Sequence, residues 1–197
     1  MKQRKTECIK LNYNSKDTEK TCSFTGYRPQ KLSFGYNEKH PDCIRLKKVI
    51  RSEIIKLIES GYRYFQSGMA MGIDMICAEI VLELKEQYPH IRLFAIIPCE
   101  NQTAGWSESS VARYNRILDK SDGSVMVTRG PYEQGCMQKR NRYLVDTAGA
   151  LLAVFDGKKG GTMNTVNYAD KMGKKLVIID PTSFMRIELF SQLNFDI

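Results

Sequence analysis

The chain has 197 residues, 42% hydrophobic and 26% charged, with a formal net charge of +8 and a pI near 9.2. This is an ordinary globular composition at a length suited to one domain with a full core; no apolar run reaches the ~20 residues of a membrane span, and the basic start lacks the apolar stretch of a signal peptide, so a cytoplasmic address is expected. The positive charge suits anionic partners, nucleic acid among them, but no Lys/Arg block interleaved with aromatics marks a dedicated DNA-binding face.

Residues 1–20 are polar and Lys-rich and read as a tail, or as an edge extension if residues 7–11 form a strand. From residue 21 a rhythm begins: a short apolar run, a Gly- or Pro-bearing loop, then an amphipathic segment. Runs at 21–25, 62–66, 91–97, 123–128, 150–155 and 175–179 predict strands. Between them lie predicted helices over 41–60, 72–88, 107–120, 135–147 and 162–172, with a closing helix over 182–190. In the first of these, Leu46, Ile50, Ile54, Leu57 and Ile58 fall at helical spacing, and Gly61 follows as a C-terminal cap. The run at 150–155 is continuously apolar, as a strand buried on both faces must be.

Strands alternating with helices predict an α/β, Rossmann-like, doubly wound and mostly parallel six-stranded sheet with helices on both faces, forming one domain over 21–197. Right-handed crossovers make 3-2-1-4-5-6 the expected strand order, with ligands at the carboxyl ends of the strands.

The six cysteines, Cys8, Cys22, Cys43, Cys77, Cys99 and Cys136, contain no CxxC pair and read as buried thiols of a reducing compartment. The only histidines, His40 and His90, each lie beside a proline. No metal site and no Ser–His or Cys–His mechanism is expected from such a set.

The chemistry is expected in the loops. Ser67-Gly68-Met69-Ala70-Met71-Gly72-Ile73-Asp74 joins a strand to a helix; its glycines admit tight turns and close approach, and a helix N-terminus offers amides to an anion. Asp74 lies in the first helical turn, where the plain alternative is that it caps those amides. Asp156-Gly157-Lys158-Lys159-Gly160-Gly161-Thr162-Met163-Asn164-Thr165 again joins a strand to a helix; its Gly160-Gly161 makes a second such entry, with Thr162 as a possible cap, and it lacks the GKS/GKT order of an ATPase loop. Arg140 and Asn141 sit early in a helix within a basic cluster, where Arg140 can fork toward a phosphate unless the cluster is merely solvated. Gly26-Tyr27-Arg28-Pro29 follows the first strand and aims Arg28 at the same crevice, while Trp106, near Pro98-Cys99-Glu100, reads as packing before it reads as a base platform.

These loops resemble a known superfamily. The stretch from Ser67 to Asp74 resembles the SGxAxGID motif of the DNA-processing (Smf/DprA) proteins, Arg140-Asn141-Arg142 their RNR helix start, and Gly161-Thr162-Met163-Asn164-Thr165 their SGTLxTA motif. Their order also matches the lonely-guy (LOG) phosphoribohydrolases, so the chain resembles the SLOG superfamily. Its Phe24-Thr25-Gly26-Tyr27-Arg28-Pro29 opening and Trp106 region look most like the YpsA-like branch.

The resemblance implies binding of a nucleotide or nucleotide derivative, ADP-ribose- or NAD-like, at Gly26, Arg28, Ser67, Gly68, Met69, Gly72, Asp74, Arg140, Asn141, Gly160, Gly161, Thr162 and Thr165. Related folds pair through a helical face, so a homodimer is expected. Against LOG-type hydrolysis of an N-glycosidic bond, Thr165 replaces the catalytic glutamate and Lys158 and Lys159 replace two glycines. An enzyme would need Arg140 with another acid, and Asp74, Glu79 and Glu100 are the candidates. A single-stranded DNA-binding module like the DNA-processing core is the third alternative.

Overall fold

The computed structural model describes residues 15–187. The elements are α1 (Ser15–Glu19), β1 (Thr21–Gly26), a 3-10 turn at Pro29–Lys31, α2 (Pro41–Glu59), β2 (Tyr64–Ser67), α3 (Ile73–Leu84), β3 (Arg92–Ile97), α4 (Glu108–Lys120), β4 (Gly123–Met126), α5 (Cys136–Asp146), β5 (Ala150–Val154), α6 (Gly161–Lys171), β6 (Lys175–Ile179) and β7 (Arg186–Ile187). All strands pair in parallel except β7, which runs antiparallel to β6. The architecture is the expected α/β, mostly parallel sheet, with one more strand than expected.

The strand order is β4-β3-β2-β1-β5-β6-β7, which corrects the expected 3-2-1-4-5-6. The neighbour of β1 is β5, not β4, for a physical reason. A strand inserted at the centre is covered on both faces, and every residue of Ala150–Val154 is buried. In Gly123–Met126 only Ser124 is buried, so that short segment suits the sheet's margin.

The winding follows from handedness. β1 to β4 step outward in one direction, and the connection through α5 then returns to the far side of β1. Right-handed crossovers put helices before and after this reversal on opposite faces. Accordingly α3 packs against α2 and α4, while α5 packs against α6. The reversal opens a crevice between β1 and β5, where their following loops part.

The core lies under α3, whose Ile73, Met75, Ile76, Cys77, Ala78 and Val81 are almost wholly buried against β1, β2 and β3. Phe24 and Phe65 stack across neighbouring strands with ring centroids 5.9 Å apart. Burying a side chain of that size contributes roughly 1.5–3 kcal/mol. Cys22, Cys43, Cys77, Cys99 and Cys136 are buried free thiols.

Two terminal expectations change. Residues 15–19 are a short helix rather than tail, while the candidate strand at 7–11 lies outside the described residues. The closing helix does not form over 182–187. The Asp180 carboxylate accepts from the Thr182 amide at 2.7 Å, Phe184 takes a φ of +62°, and the chain turns back as β7. An aspartate bonding the backbone two residues on favours such a turn over a helix. The rest of that expected helix, 188–190, lies outside the described residues.

Candidate functional site

The reversal of winding leaves a cleft of about 360 Å³ at the carboxyl ends of β1 and β5. The loop after β1 supplies Arg28, Gln30 and Lys31, the β2–α3 loop Ala70, the first turn of α3 Asp74, α5 Met137, Arg140 and Asn141, and α6 Gly161 and Thr162. Four loops distant in sequence thus meet because a parallel sheet collects every strand's carboxyl end on one side.

Arg140 and Asp74 form the floor. Each is only 5% exposed. Arg140 reaches this depth because Cys136, Arg140 and Leu144, four residues apart, form the buried stripe of α5, whereas Lys139 and Arg142 are exposed. That spacing was present in the sequence and separates Arg140 from the solvated basic cluster around it. Its Nη1 lies 3.4 Å from Asp74 Oδ2, long beside the ~2.8 Å of a strong charged hydrogen bond. Its Nε finds no partner among the described residues.

Burial pushes the Asp74 carboxyl above the usual range, against the pull of Arg140, the Ala70 amide and Arg28. Burial likewise draws Arg140 down, against the attraction of Asp74. Arginine holds its proton through such a shift. The floor is therefore a buried cation with one long contact and an unused donor, which is chemistry suited to an anion.

The β2–α3 loop exists to admit that guanidinium. A Cβ on Gly68 would fall 1.3 Å from Arg140 Nη1, and one on Gly72, at φ +95°, would fall 2.5 Å from the Tyr27 carbonyl oxygen. Ser67 Oγ donates to the Asp74 carbonyl at 2.8 Å and accepts from the Met69 amide at 3.1 Å, holding Met69 at φ +57°. Gly26 faces Ile73, at 2.5 Å from any Cβ. Ser67, Gly68, Met69 and Gly72 shape the site from behind and do not line the cleft.

Neither α3 nor α6 is capped by a side chain; the N-cap positions are Gly72 and Gly160. Asp74 turns toward Ala70 and Arg140 instead of capping α3, and Thr162 lies inside α6. Both capping alternatives are thereby overturned. A residue in the place of Gly160 would bring its Cβ within 3.1 Å of Lys31 Nζ. Thr165 is buried away from the cleft, accepting from Asn141 Nδ2 at 3.0 Å and donating to the Gly161 carbonyl at 2.8 Å. Thr165 thereby ties α5 to α6.

The rim is basic. Arg28 is exposed and makes no ion pair among the described residues. Lys31 Nζ lies 5.3 Å from the centroid of the Tyr27 ring. Tyr27 donates to Asp156 in a short hydrogen bond, and Lys158 Nζ lies 2.6 Å from the same carboxylate. Partial burial raises Asp156, but bonds from Lys158 and Tyr27 outweigh it and hold the carboxyl down to about 2.

Of the three candidate acids only Asp74 lines the cleft. Glu79 is held by Arg113 on the far side of α3, and Glu100 is exposed and accepts from the Gly130 amide. Sequence reasoning missed Gln102, which is buried, donates to the Gly68 carbonyl at 2.9 Å, and leaves its Oε1 without a partner among the described residues. It also missed Tyr27 paired with Asp156. Gln102 carries no local signal, since its burial depends on a loop folding over Gly68; the buried Tyr27 stood in a singled-out loop.

Likeness to known proteins agrees with this fold. A UPF0398 protein of Halalkalibacterium halodurans is 32% identical over 144 residues, covering 73% of this chain and 76% of that one. The SPbeta prophage-derived protein YoqJ of Bacillus subtilis is 34% identical over 158 residues, covering 73% and 92%. In fold, the chain resembles the DNA processing protein A of Helicobacter pylori, with a TM-score of 0.57, 19% identity and coverage of 86% and 74%. The Streptococcus pneumoniae counterpart gives a TM-score of 0.53 at 16% identity, covering 81% of this chain, which spans half of that protein. The family model described as the YspA SLOG family matches residues 22–183, and the chain belongs to that family.

Proposed function

We propose that the cleft binds a nucleotide or nucleotide derivative through its phosphate, with an ADP-ribose- or NAD-like compound as the ligand class. The observation that carries this is Arg140: a buried cation with one long contact and an Nε without a partner among the described residues, in a cleft that also holds Arg28, Lys31 and the uncapped start of α6. A phosphate would engage the guanidinium fork and the helix amides together. Asn141 and Asp74 stand beside it as partners for ribose hydroxyls.

Binding comes before turnover here. Asp74 is the one carboxylate lining the cleft among the described residues, and it is tied to Arg140. The test is a thermal-shift titration with ADP-ribose, NAD and AMP, followed by mass spectrometry of the ligand. A ligand at a hundredfold excess over its dissociation constant raises stability by about 2.7 kcal/mol. A shift with intact ligand, lost in Arg28→Ala, supports a sensor; water consumed with release of the free base, adenine or nicotinamide, makes the chain an N-glycosidic hydrolase. No shift with any of the three sinks the small-molecule role.

A second reading is a single-stranded nucleic-acid site. It is favoured by the fold neighbour from Helicobacter pylori, a protein described by its single-stranded DNA binding mode. Its signature would be affinity for a short oligonucleotide that falls steeply with salt; affinity indifferent to salt would count against it.

A further inference from the structure

A second hollow, of about 640 Å³, lies against the other side of the wall that bounds the basic cleft. The two share that wall residue by residue: Arg28 and Ala70 face the cleft, and their chain neighbours Pro29 and Met71 face the hollow. At the wall Gly72 meets Arg28 and Pro29 so closely that a Cβ would lie 3.1 Å from each. A side chain also links the two spaces, since Gln30, on the cleft, donates from Nε2 to the Tyr36 hydroxyl, on the hollow, at 2.7 Å.

The chemistry of the hollow differs from that of the cleft. Phe34, Tyr36 and Trp106 bring aromatic rings, and Met71 and Met75 bring polarisable thioethers. Tyr36 is 61% exposed, a large aromatic surface left to water. Trp106 is half-buried and set edge-on to Tyr114 at 5.8 Å. Charge at the back is largely internal, with Arg113 held between Glu38 and Glu79. Arg116 is the looser cation, 58% exposed and 3.9 Å from Glu79.

We infer that this hollow receives the planar base of the same ligand whose phosphate occupies the cleft, so that the site takes a two-part nucleotide laid across the Arg28–Pro29 wall. The inference rests on the phosphate reading of the cleft. Aromatic rings and thioethers suit a flat π-system, an anion suits the other side, and the Gln30–Tyr36 hydrogen bond joins the rims of the two spaces.

Trp106 is the one tryptophan of the chain, so its emission reports on the hollow directly. The experiment titrates the full chain with ADP-ribose and with inorganic diphosphate, following Trp106 fluorescence and calorimetric heat in parallel. ADP-ribose is expected to bind and change the emission, and diphosphate to bind and leave it unchanged. Tyr36→Ala, an exposed substitution that spares the core, is expected to weaken ADP-ribose about tenfold and diphosphate hardly at all. ADP-ribose binding with unchanged emission and unchanged affinity in Tyr36→Ala overturns the base hollow and leaves the phosphate cleft standing. Failure of both compounds to bind overturns the cleft reading and the hollow with it.

Discussion

The Arg140 guanidinium occupies the space a side chain on residue 68 would fill: a Cβ there would stand 1.3 Å from Nη1 and 2.7 Å from Asp74 Oδ2. Gly68 is therefore a packing partner of Arg140, and the glycine of a phosphate-loop-like motif serves here to let a side chain in. Gly68→Ala should displace Arg140, destabilise the fold by about 1–3 kcal/mol through overpacking, and abolish the thermal shift with ADP-ribose. Urea denaturation beside the ligand titration measures both; a stable variant that still binds would show that Arg140 has another place to go.

Gly161 is the opposite case. Nothing lies within 4 Å of a Cβ there, and the residue is exposed at the start of α6. Gly161→Asp should change stability by no more than about 0.5 kcal/mol while setting a carboxylate where a phosphate would sit. Retained folding with lost ligand response is the expected outcome, and unaltered affinity would move the anion away from α6.

Arg140→Met leaves the buried Asp74 without its ion-pair partner, with only the exposed Arg28 still drawing its carboxyl down, and breaking such a pair typically costs about 3–5 kcal/mol. The loss should depend on pH. Burial has already raised the Asp74 carboxyl, and a group raised in the folded state contributes stability that is full below its unfolded value, near pH 4, and lost as pH rises through the folded one. Removing Arg140, which pulls the group down, shifts that loss to higher pH. The variant should thus be destabilised less at about pH 5 than at about pH 8, and adding Asp74→Asn should flatten the slope. Equal destabilisation at both pH values, read by chemical denaturation, would refute the assignment.

Asp156 runs the other way. Its carboxyl is held down to about 2 by Lys158 and Tyr27, despite the upward push of partial burial. Its contribution is present above the ordinary carboxylate value, near pH 4, and lost as pH falls through the folded one. Asp156→Asn should lower Tm at neutral pH, and the gap from the natural chain should close on acidification from about pH 4 toward 2. A gap that persists at the acid end would mean that Tyr27 is held by something other than charge.

Much of this molecule could be read along the chain. The helix at Pro41–Glu59 follows from apolar spacing and a proline at its start, and the burial of β5 from its unbroken apolar run. The position of Arg140 on a buried stripe was readable from Cys136 and Leu144, yet a cluster of neighbouring charges obscured it. The place of β4 differs from the expected one because strand order is a matter of pairing between segments remote in sequence. The polar, half-buried character of Gly123–Met126 was the local sign of an edge strand.

The amino-acid sequence determined the alternation of strands and helices, the parallel class of the sheet and the loops that carry the motifs, because hydrophobic period, capping and glycine geometry act over a few residues. Only the tertiary structure decided that Asp74 would meet Arg140 instead of capping its helix, that Thr165 would lock Asn141, that Gln102 would close over Gly68, and that an aromatic hollow would share a wall with the basic cleft. Each of these joins segments brought together by the reversal of winding at β1 or by loops folding across the sheet's end, where contact depends on three-dimensional packing and has no signature at short range.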